Sequence, residues 1–264
     1  MKLNHPYHLV SLSPWPIMSS IAVLTTAMGA IMYFHRYENA YLMLSFGLLS
    51  ILYFMFVWWR DVIRESNAHF HTTKVQQGLQ MGMILFIVSE AMFFVGFLWA
   101  FIHFAAQPSV YLGNEWPPVG IIPVDWTRRP LLNSALLAAS YFSANVAKYA
   151  MEINEKKLCS TNLIITILLG LLFSYYQYLE YSDSAFTLSD SVFGSTFFIA
   201  TGFHGFHVIV GVLFLLVCLL TLKEVTPNHC VGLRLAVLYW HFVDIVWIFL
   251  MGIIYYWGSY SRHG

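Results

Sequence analysis

Between Ser191 and Leu222 the chain runs 32 residues without a Lys, Arg, Asp or Glu. A straight helix of that length measures about 48 Å at 1.5 Å per residue, more than the roughly 30 Å hydrocarbon core of a bilayer, so it must tilt or project beyond the lipid. Six further apolar runs, at approximately 17–35, 39–59, 76–104, 131–149, 161–181 and 235–257, are each dense in Leu, Ile, Phe, Val and Met and too long for strands. Only 10% of all residues are charged and 59% are hydrophobic, against about 25% charged in a soluble domain. A soluble globular fold is excluded, and the sequence predicts an all-α polytopic membrane protein with seven transmembrane helices in a single membrane domain spanning residues 1–264.

Thirteen Lys+Arg balance thirteen Asp+Glu, so no net field recruits nucleic acid. The 22 Phe, 16 Tyr and 9 Trp suit a chain with much surface at the lipid boundary. Cys159, Cys218 and Cys230 have no C-x-x-C spacing, so neither a disulfide framework nor a zinc knuckle is expected. Pro6, Pro14 and Pro16 break the N-terminal stretch, and no removable signal peptide is expected. With seven crossings, nine basic residues (Lys2, Arg60, Arg64, Lys74, Lys148, Lys156, Lys157, Lys223 and Arg234) share the side of the N-terminus, while Arg36, Arg128, Arg129 and Arg262 lie opposite. That bias predicts an N-in, C-out topology. Gln107 to Pro130, with Trp116-Pro117-Pro118 and Trp126, reads as a proline-stiffened loop at the membrane interface.

Glu90 is the single charged residue between Val75 and Asn114. An ionised carboxylate at mid-membrane costs about 2.5–3.5 kcal/mol on insertion scales. Two readings stay open: a protonated acid hydrogen-bonded to a neighbouring helix, or a proton-relay group facing a lipid- or water-filled cleft. His204 and His207 share a helix face at i and i+3, a spacing that suits one metal. Two ligands do not make a site, and the nearby Gly202, Gly205 and Gly211 favour close helix packing with the histidines as cross-helix hydrogen-bonders. His241 and Asp244 are also three apart, and read as a structural polar pair that offsets the cost of burying Asp244. Trp58-Trp59-Arg60-Asp61 followed by Arg64, Glu65, His69 and His71 places an aromatic girdle beside mixed charge, an arrangement able to hold a phospholipid headgroup or to serve as an interfacial anchor. There is no GxGxxG, Walker motif, H-E-x-x-H or Glu-x-x-His pair. No catalytic residue, cofactor-binding residue or metal ligand set is predicted.

Several segments carry a family resemblance: His5-Pro6-Tyr7-His8-Leu9-Val10, Ser13-Pro14-Trp15-Pro16, Trp58-Trp59-Arg60-Asp61-Val62, Ser89-Glu90, Phe97-Leu98-Trp99-Ala100-Phe101, Trp116-Pro117-Pro118, Pro130-Leu131-Leu132-Asn133, Gly194-Ser195-Thr196-Phe197-Phe198 through His207, and Trp240-His241-Phe242-Val243-Asp244. In this order, over essentially the whole chain, they resemble subunit III of cytochrome c oxidase. The resemblance implies a two-helix part (about 17–59) and a five-helix part (about 76–257) around a V-shaped cleft that holds phospholipids. It implies a subunit without haem or copper, those cofactors belonging to partner subunits. Such a subunit packs against catalytic subunit I, assembles with subunit II and accessory subunits, and supports proton uptake and turnover stability during reduction of oxygen to water. Residue by residue, Glu90 matches the family's membrane-buried acid beside the cleft, Trp58, Glu65 and His71 match its headgroup region, and Trp99 matches a cleft-lining aromatic. Arg64 and Lys223 join the expected lipid contacts. The resemblance places the chain in the mitochondrial inner membrane with its N-terminus in the matrix and its C-terminus in the intermembrane space, an alphaproteobacterial plasma membrane being the alternative. The two N-terminal helices set it apart from the shorter third subunit of bacterial quinol oxidases.

The chain departs from the family pattern at Ala147-Lys148-Tyr149, where Ala-His-His is usual, and over Asn228-His229-Cys230-Val231-Gly232-Leu233-Arg234, where a Glu is usual at the position of Arg234. On the residues alone a different class competes, a proton-coupled transporter using Glu90 and Asp244. The inverted repeats and broken helices common in transporters are not evident in the sequence.

Overall fold

The computed structural model describes residues 5–9, 12–68, 70–110, 113–223, 225–227 and 230–260, so the expectations on Lys2, Val10, His69, Asn228, His229 and Arg262 lie outside the described residues. The described residues form long helices and contain no strand: α1 Trp15–Phe34, α2 Ala40–Asn67, α3 Thr73–Ala106, α4 Arg129–Glu152, α5 Lys156–Asp183, α6 Ser191–Thr221 and α7 Val231–Leu250, the last continuing as a π-helical segment Met251–Trp257. Six of them are long and apolar enough to cross a membrane: α1, α2, α3, α5, α6 and α7 with its extension. The remaining helix, α4, has 24 residues and turns a row of small and polar side chains inward, Ser140, Ser143, Ala144, Ala147 and Ala150.

The chain divides into two compact units, Met1–Leu79 and Gln80–Gly264. The first is built on the α1–α2 hairpin. Helix α1 opens with Pro at its first turn, where the missing N–H costs nothing, and the connection to α2 turns on Arg36 and Asn39, both at φ 59°. The two helices touch backbone to backbone at two glycines. A Cβ on Gly29 would lie 2.6 Å from the Leu44 backbone nitrogen, and one on Gly47 would lie 2.5 Å from the Thr26 hydroxyl. Small residues at such crossings let dispersion contacts substitute for the hydrophobic effect that lipid does not provide. Helix α2 runs to Asn67, past the end of the run at residue 59. Its charges are satisfied locally: Arg60 donates to Asp61 Oδ1 at 2.8 Å, Arg64 stands 3.6 Å from the same oxygen, and Trp15 Nε1 donates to Asp61 Oδ2 at 2.8 Å.

In the second unit the core centres on two tryptophans of α7, Trp240 and Trp247, both almost fully buried. Trp240 wedges between Gly170 of α5 and Gly211 of α6, where an added Cβ would come within 2.6 Å and 2.8 Å of its ring. Both indoles find hydroxyl acceptors on α4, Trp240 Nε1 donating to Ser140 and Trp247 Nε1 to Ser134, each at 2.9 Å. A buried N–H in lipid must be paired inside the protein, which gives the serines of the least apolar helix their role. Gly202 and Gly205 behave otherwise: a Cβ at either meets nothing within 4 Å. Of the three glycines expected to serve close packing, only Gly211 does so, because only it faces α7.

In the 107–130 connection, Trp116 turns into the protein. Trp116 is 4% exposed, packs edge-on against Phe101 at 5.3 Å, and donates from Nε1 to the Gly258 carbonyl at 3.0 Å. It plugs the bundle end, since an indole buries far more apolar area there than at a headgroup boundary. Trp126 packs on Tyr256.

Candidate functional site

Glu90 on α3 and His207 on α6 form the most telling polar contact of the second unit. His207 Nε2 lies 3.1 Å from Glu90 Oε2, with side-chain exposures of 9% and 25%. The other ring nitrogen, Nδ1, lies 2.6 Å from the Phe203 carbonyl. A carbonyl only accepts, so Nδ1 carries a hydrogen and donates it. One proton is then shared between Nε2 and the carboxylate: either a neutral Glu90 donates to the imidazole or an imidazolium donates to the carboxylate. The Phe203 carbonyl fixes the tautomer, so the proton can change sides without rearranging the ring. Phe94, Phe242 and Tyr239 surround the imidazole with ring centroids at 5.3, 6.2 and 6.3 Å, an apolar sleeve that weakens competition from water.

His204 does not join His207. It is fully buried, its Nε2 lies 3.2 Å from the Val243 carbonyl, to which it donates, and its ring packs on Phe173 and Trp247. The i, i+3 spacing placed both histidines on one helix face, but they serve different neighbours. His241 and Asp244 do meet, Nδ1 to Oδ2 at 3.6 Å, outside hydrogen-bond range. His241 Nε2 pairs with Asn145 Oδ1 on α4 at 3.1 Å and its ring lies 4.3 Å from that of Tyr141. Both Asp244 oxygens are buried without a hydrogen-bond partner, and Asp244 lines a cavity of about 660 Å³ between α4 and α7 bordered by Tyr141, Trp247 and Ile248. Glu90 and Asp244 therefore each face a separate histidine.

Sequence reasoning missed Glu180. It stands near the end of the 161–181 run, where an acid passes for a span-end residue. Helix α5 continues to Asp183, and Glu180 is 3% exposed. Its Oε1 accepts from Tyr255 Oη at 2.6 Å and from Gln177 Nε2 at 3.3 Å. The readable signal was Gln177, a second polar group one turn away in an apolar helix. Arg234 sits 3.9 Å from Glu152 at the end of α4.

Of the expected lipid-contacting residues, Trp58, Arg64, Glu65 and His71 belong to the first unit, and Trp99 and Lys223 to the second. Trp58 and Trp99 are 37% and 72% exposed. Arg64 leans to Asp61, and Lys223 offers its carbonyl to the Lys156 ammonium at 2.9 Å. Glu65 and His71 meet through a third residue, His8, whose Nε2 lies 3.4 Å from Glu65 Oε2 and whose ring meets that of His71 edge-on at 5.6 Å. Burial and then the neighbouring His8 hold the His71 imidazole below its ordinary pKa, with Glu65 pulling the other way.

A geometry of paired intramembrane acids and histidines does not by itself name a protein, but relatives do. The profile of the family described as cytochrome c oxidase subunit III matches residues 5–259. The chain is 51% identical over 259 residues to cytochrome c oxidase subunit 3 of Triticum aestivum, covering 97% of this chain and 98% of the relative. It is 50% identical to that of Arabidopsis thaliana over 259 residues, and 50% identical to that of Coturnix japonica over 258, with the same coverage. With nearly its whole length accounted for by one family and its long apolar helices matching a membrane subunit, the chain belongs to the cytochrome c oxidase subunit III family.

Proposed function

We propose that this chain acts as the non-redox core subunit of its oxidase, packing against catalytic subunit I, meeting subunit II and accessory subunits, and binding structural phospholipids, while haem and copper reside in the partners. Family membership makes the chain part of an oxidoreductase complex in a membrane. The observation that carries the reading is the match over residues 5–259. All seven helices are proposed to cross the bilayer. Helix α4, at 24 residues, is about 36 Å long, enough for the span, and its polar side chains pair within the protein, Ser140 and Ser134 with Trp240 and Trp247, Ser143 with Thr166 and Asn133 with Gln177. The nine-to-four distribution of basic residues supports an N-terminus on the matrix side, and the eukaryotic relatives support the mitochondrial inner membrane.

The V-shaped lipid cleft between helices 1–2 and helices 3–7 is proposed from the family resemblance. Apolar side chains such as Phe56, Phe86 and Trp99, exposed on their own units, supply surface that phospholipid chains would cover. Trp58, Arg64, Glu65 and His71 are proposed to border one headgroup, with Lys223 at another basic contact. The Glu90–His207 pair is proposed to lie beside the cleft and to hold one transferable proton, the property a subunit supporting proton uptake requires.

The test is purification of the complex through a tag on this chain from respiring membranes in mild detergent. Stoichiometric haem absorbance and copper in the same peak are expected, and a tagged chain running free of haem overturns the assignment. Mass spectrometry of the same peak reads the lipid: phospholipid retained by the wild type and reduced in the Trp58→Ala, Arg64→Ala variant is expected, and equal retention overturns the headgroup assignment.

A further inference from the structure

The three residues that meet in the first unit have a chemistry of their own. His8 lies in the segment before α1, Glu65 near the end of α2, and His71 in the connection to α3. One donor atom from each falls within 4.8 Å of the other two. The His8 Nε2 to Glu65 Oε2 separation is 3.4 Å, and a tetrahedron with metal–ligand bonds of about 2.1 Å has a ligand-to-ligand edge of about 3.4 Å. One edge is thus already at the required length, and the other two are no longer than 4.8 Å. All three side chains are partly buried, and His8 Nδ1 is buried without a hydrogen-bond partner among the described residues.

The segment carrying His8 is tied down on both sides. The Thr72 hydroxyl donates to the Pro6 carbonyl, and the Lys74 ammonium lies 5.8 Å from the centroid of the Tyr7 ring. These contacts bring residues 6–8 to the α2–α3 connection, so the ordering entropy of assembling three donors from distant points of the chain is already met. Arg64, the nearest cation in sequence, is drawn to Asp61 and leaves the Glu65 carboxylate to the histidines.

We propose that His8, Glu65 and His71 bind one divalent transition cation of the zinc class, clipping the N-terminal segment onto the end of α2. Two imidazoles and a carboxylate are the donor set of borderline cations, whereas calcium and magnesium take six or more oxygens. Three protein ligands leave a fourth position for water or an anionic oxygen. The site uses Glu65 and His71 but does not depend on the headgroup reading, since the cation needs no lipid to be held.

The full-length chain in detergent, stripped with a chelator, is titrated with cobalt(II) and then zinc(II). One equivalent of cobalt with the intense visible bands of four-coordinate geometry, displaced by zinc, is expected. His8→Ala, Glu65→Gln and His71→Ala should each weaken binding at least about tenfold. His71→Cys, which keeps a ligand, should retain binding and add a sulfur-to-cobalt charge-transfer band, an outcome that loss of folding does not produce. Absence of stoichiometric cobalt binding in the wild type, affinity unchanged across the three variants, or a bound-cobalt spectrum unaltered in His71→Cys overturns the proposal. Phospholipid retained by the metal-free chain is scored in parallel, so the headgroup reading and the metal reading fail separately.

Discussion

Glu90 on α3 and His207 on α6 meet at 3.1 Å, and the carbonyl of Phe203 behind His207 decides which ring nitrogen faces the acid. The pair joins two helices that are 117 residues apart at the point of contact. It solves a problem each partner would have alone in an apolar bundle, since an unmatched polar group there loses its hydration without compensation. A polar pair of this kind inside a membrane contributes about 0.6 kcal/mol on average and at most about 1.7. Its value lies more in fixing a protonatable site than in stability.

A double-mutant cycle tests that pairing. Glu90→Leu and His207→Leu are each expected to destabilise the second unit by about 1–3 kcal/mol, because each strands its partner. The double variant should lose less than the sum, with a coupling of about 0.6–1.7 kcal/mol, read by thermal or denaturant unfolding in micelles. Strictly additive losses would show that the two groups do not interact.

Two glycines six residues apart on α6 should respond in opposite ways. Gly211→Ala drives a Cβ to within 2.8 Å of the Trp240 ring, and overpacking of this kind costs about 1–3 kcal/mol. Gly205→Ala places its Cβ in open space and should gain up to about 1 kcal/mol from helix propensity. Unfolding midpoints of the two variants decide the matter; equal shifts would mean that Trp240 does not wedge against α6.

At Glu180, Tyr255→Phe removes the hydroxyl that donates at 2.6 Å and leaves a buried acceptor short of a partner. A loss of about 1–3 kcal/mol is expected, with a smaller loss for Glu180→Gln, whose amide oxygen still accepts from Tyr255. If Glu180→Gln proves the more damaging substitution, the carboxylate has a role beyond accepting these bonds.

Near the start of α4, Asp125 accepts from both the Thr127 hydroxyl, at 2.6 Å, and the Thr127 amide, at 3.0 Å, with Arg128 beside it at 3.1 Å. These bonds, foremost the hydroxyl, hold its carboxyl below the ordinary carboxylate value. A lowered folded-state pKa means the turn's stabilisation is present above the unfolded value and is lost as pH falls through the folded one. Thr127 amide protection, corrected for intrinsic exchange, should therefore be flat near neutrality and decline only in acid. Asp125→Ala should show the low protection throughout, and a wild-type profile already falling at neutral pH would contradict this assignment.

The seven helices were legible because apolar run length is a local property. Their ends were not: α2 outruns its apolar segment because Arg60, Asp61 and Arg64 neutralise one another and Trp15 caps the cluster from α1, contacts that composition does not announce. Glu90 was readable as an isolated acid, and His207 as a histidine that needs a partner. That they partner each other was not, and neither was the division of labour by which His204 turns instead to Val243. The motif order alone pointed to the family, which the relatives then established.

By itself the sequence determined that this chain lives in lipid, how many long helices it forms and that isolated polar groups such as Glu90 and Asp244 lie within them, since hydrophobicity and spacing along a helix are written residue by residue. Only the tertiary structure decided which polar groups satisfy one another. Glu90 finds His207, Glu180 finds Tyr255, the α7 tryptophans find the serines of α4, and His8 reaches Glu65 and His71. The physical reason is that a hydrogen bond or a ligand set depends on distances of about 3 Å, and in a helical bundle those distances follow from how helices rotate and cross, which no single stretch of sequence fixes.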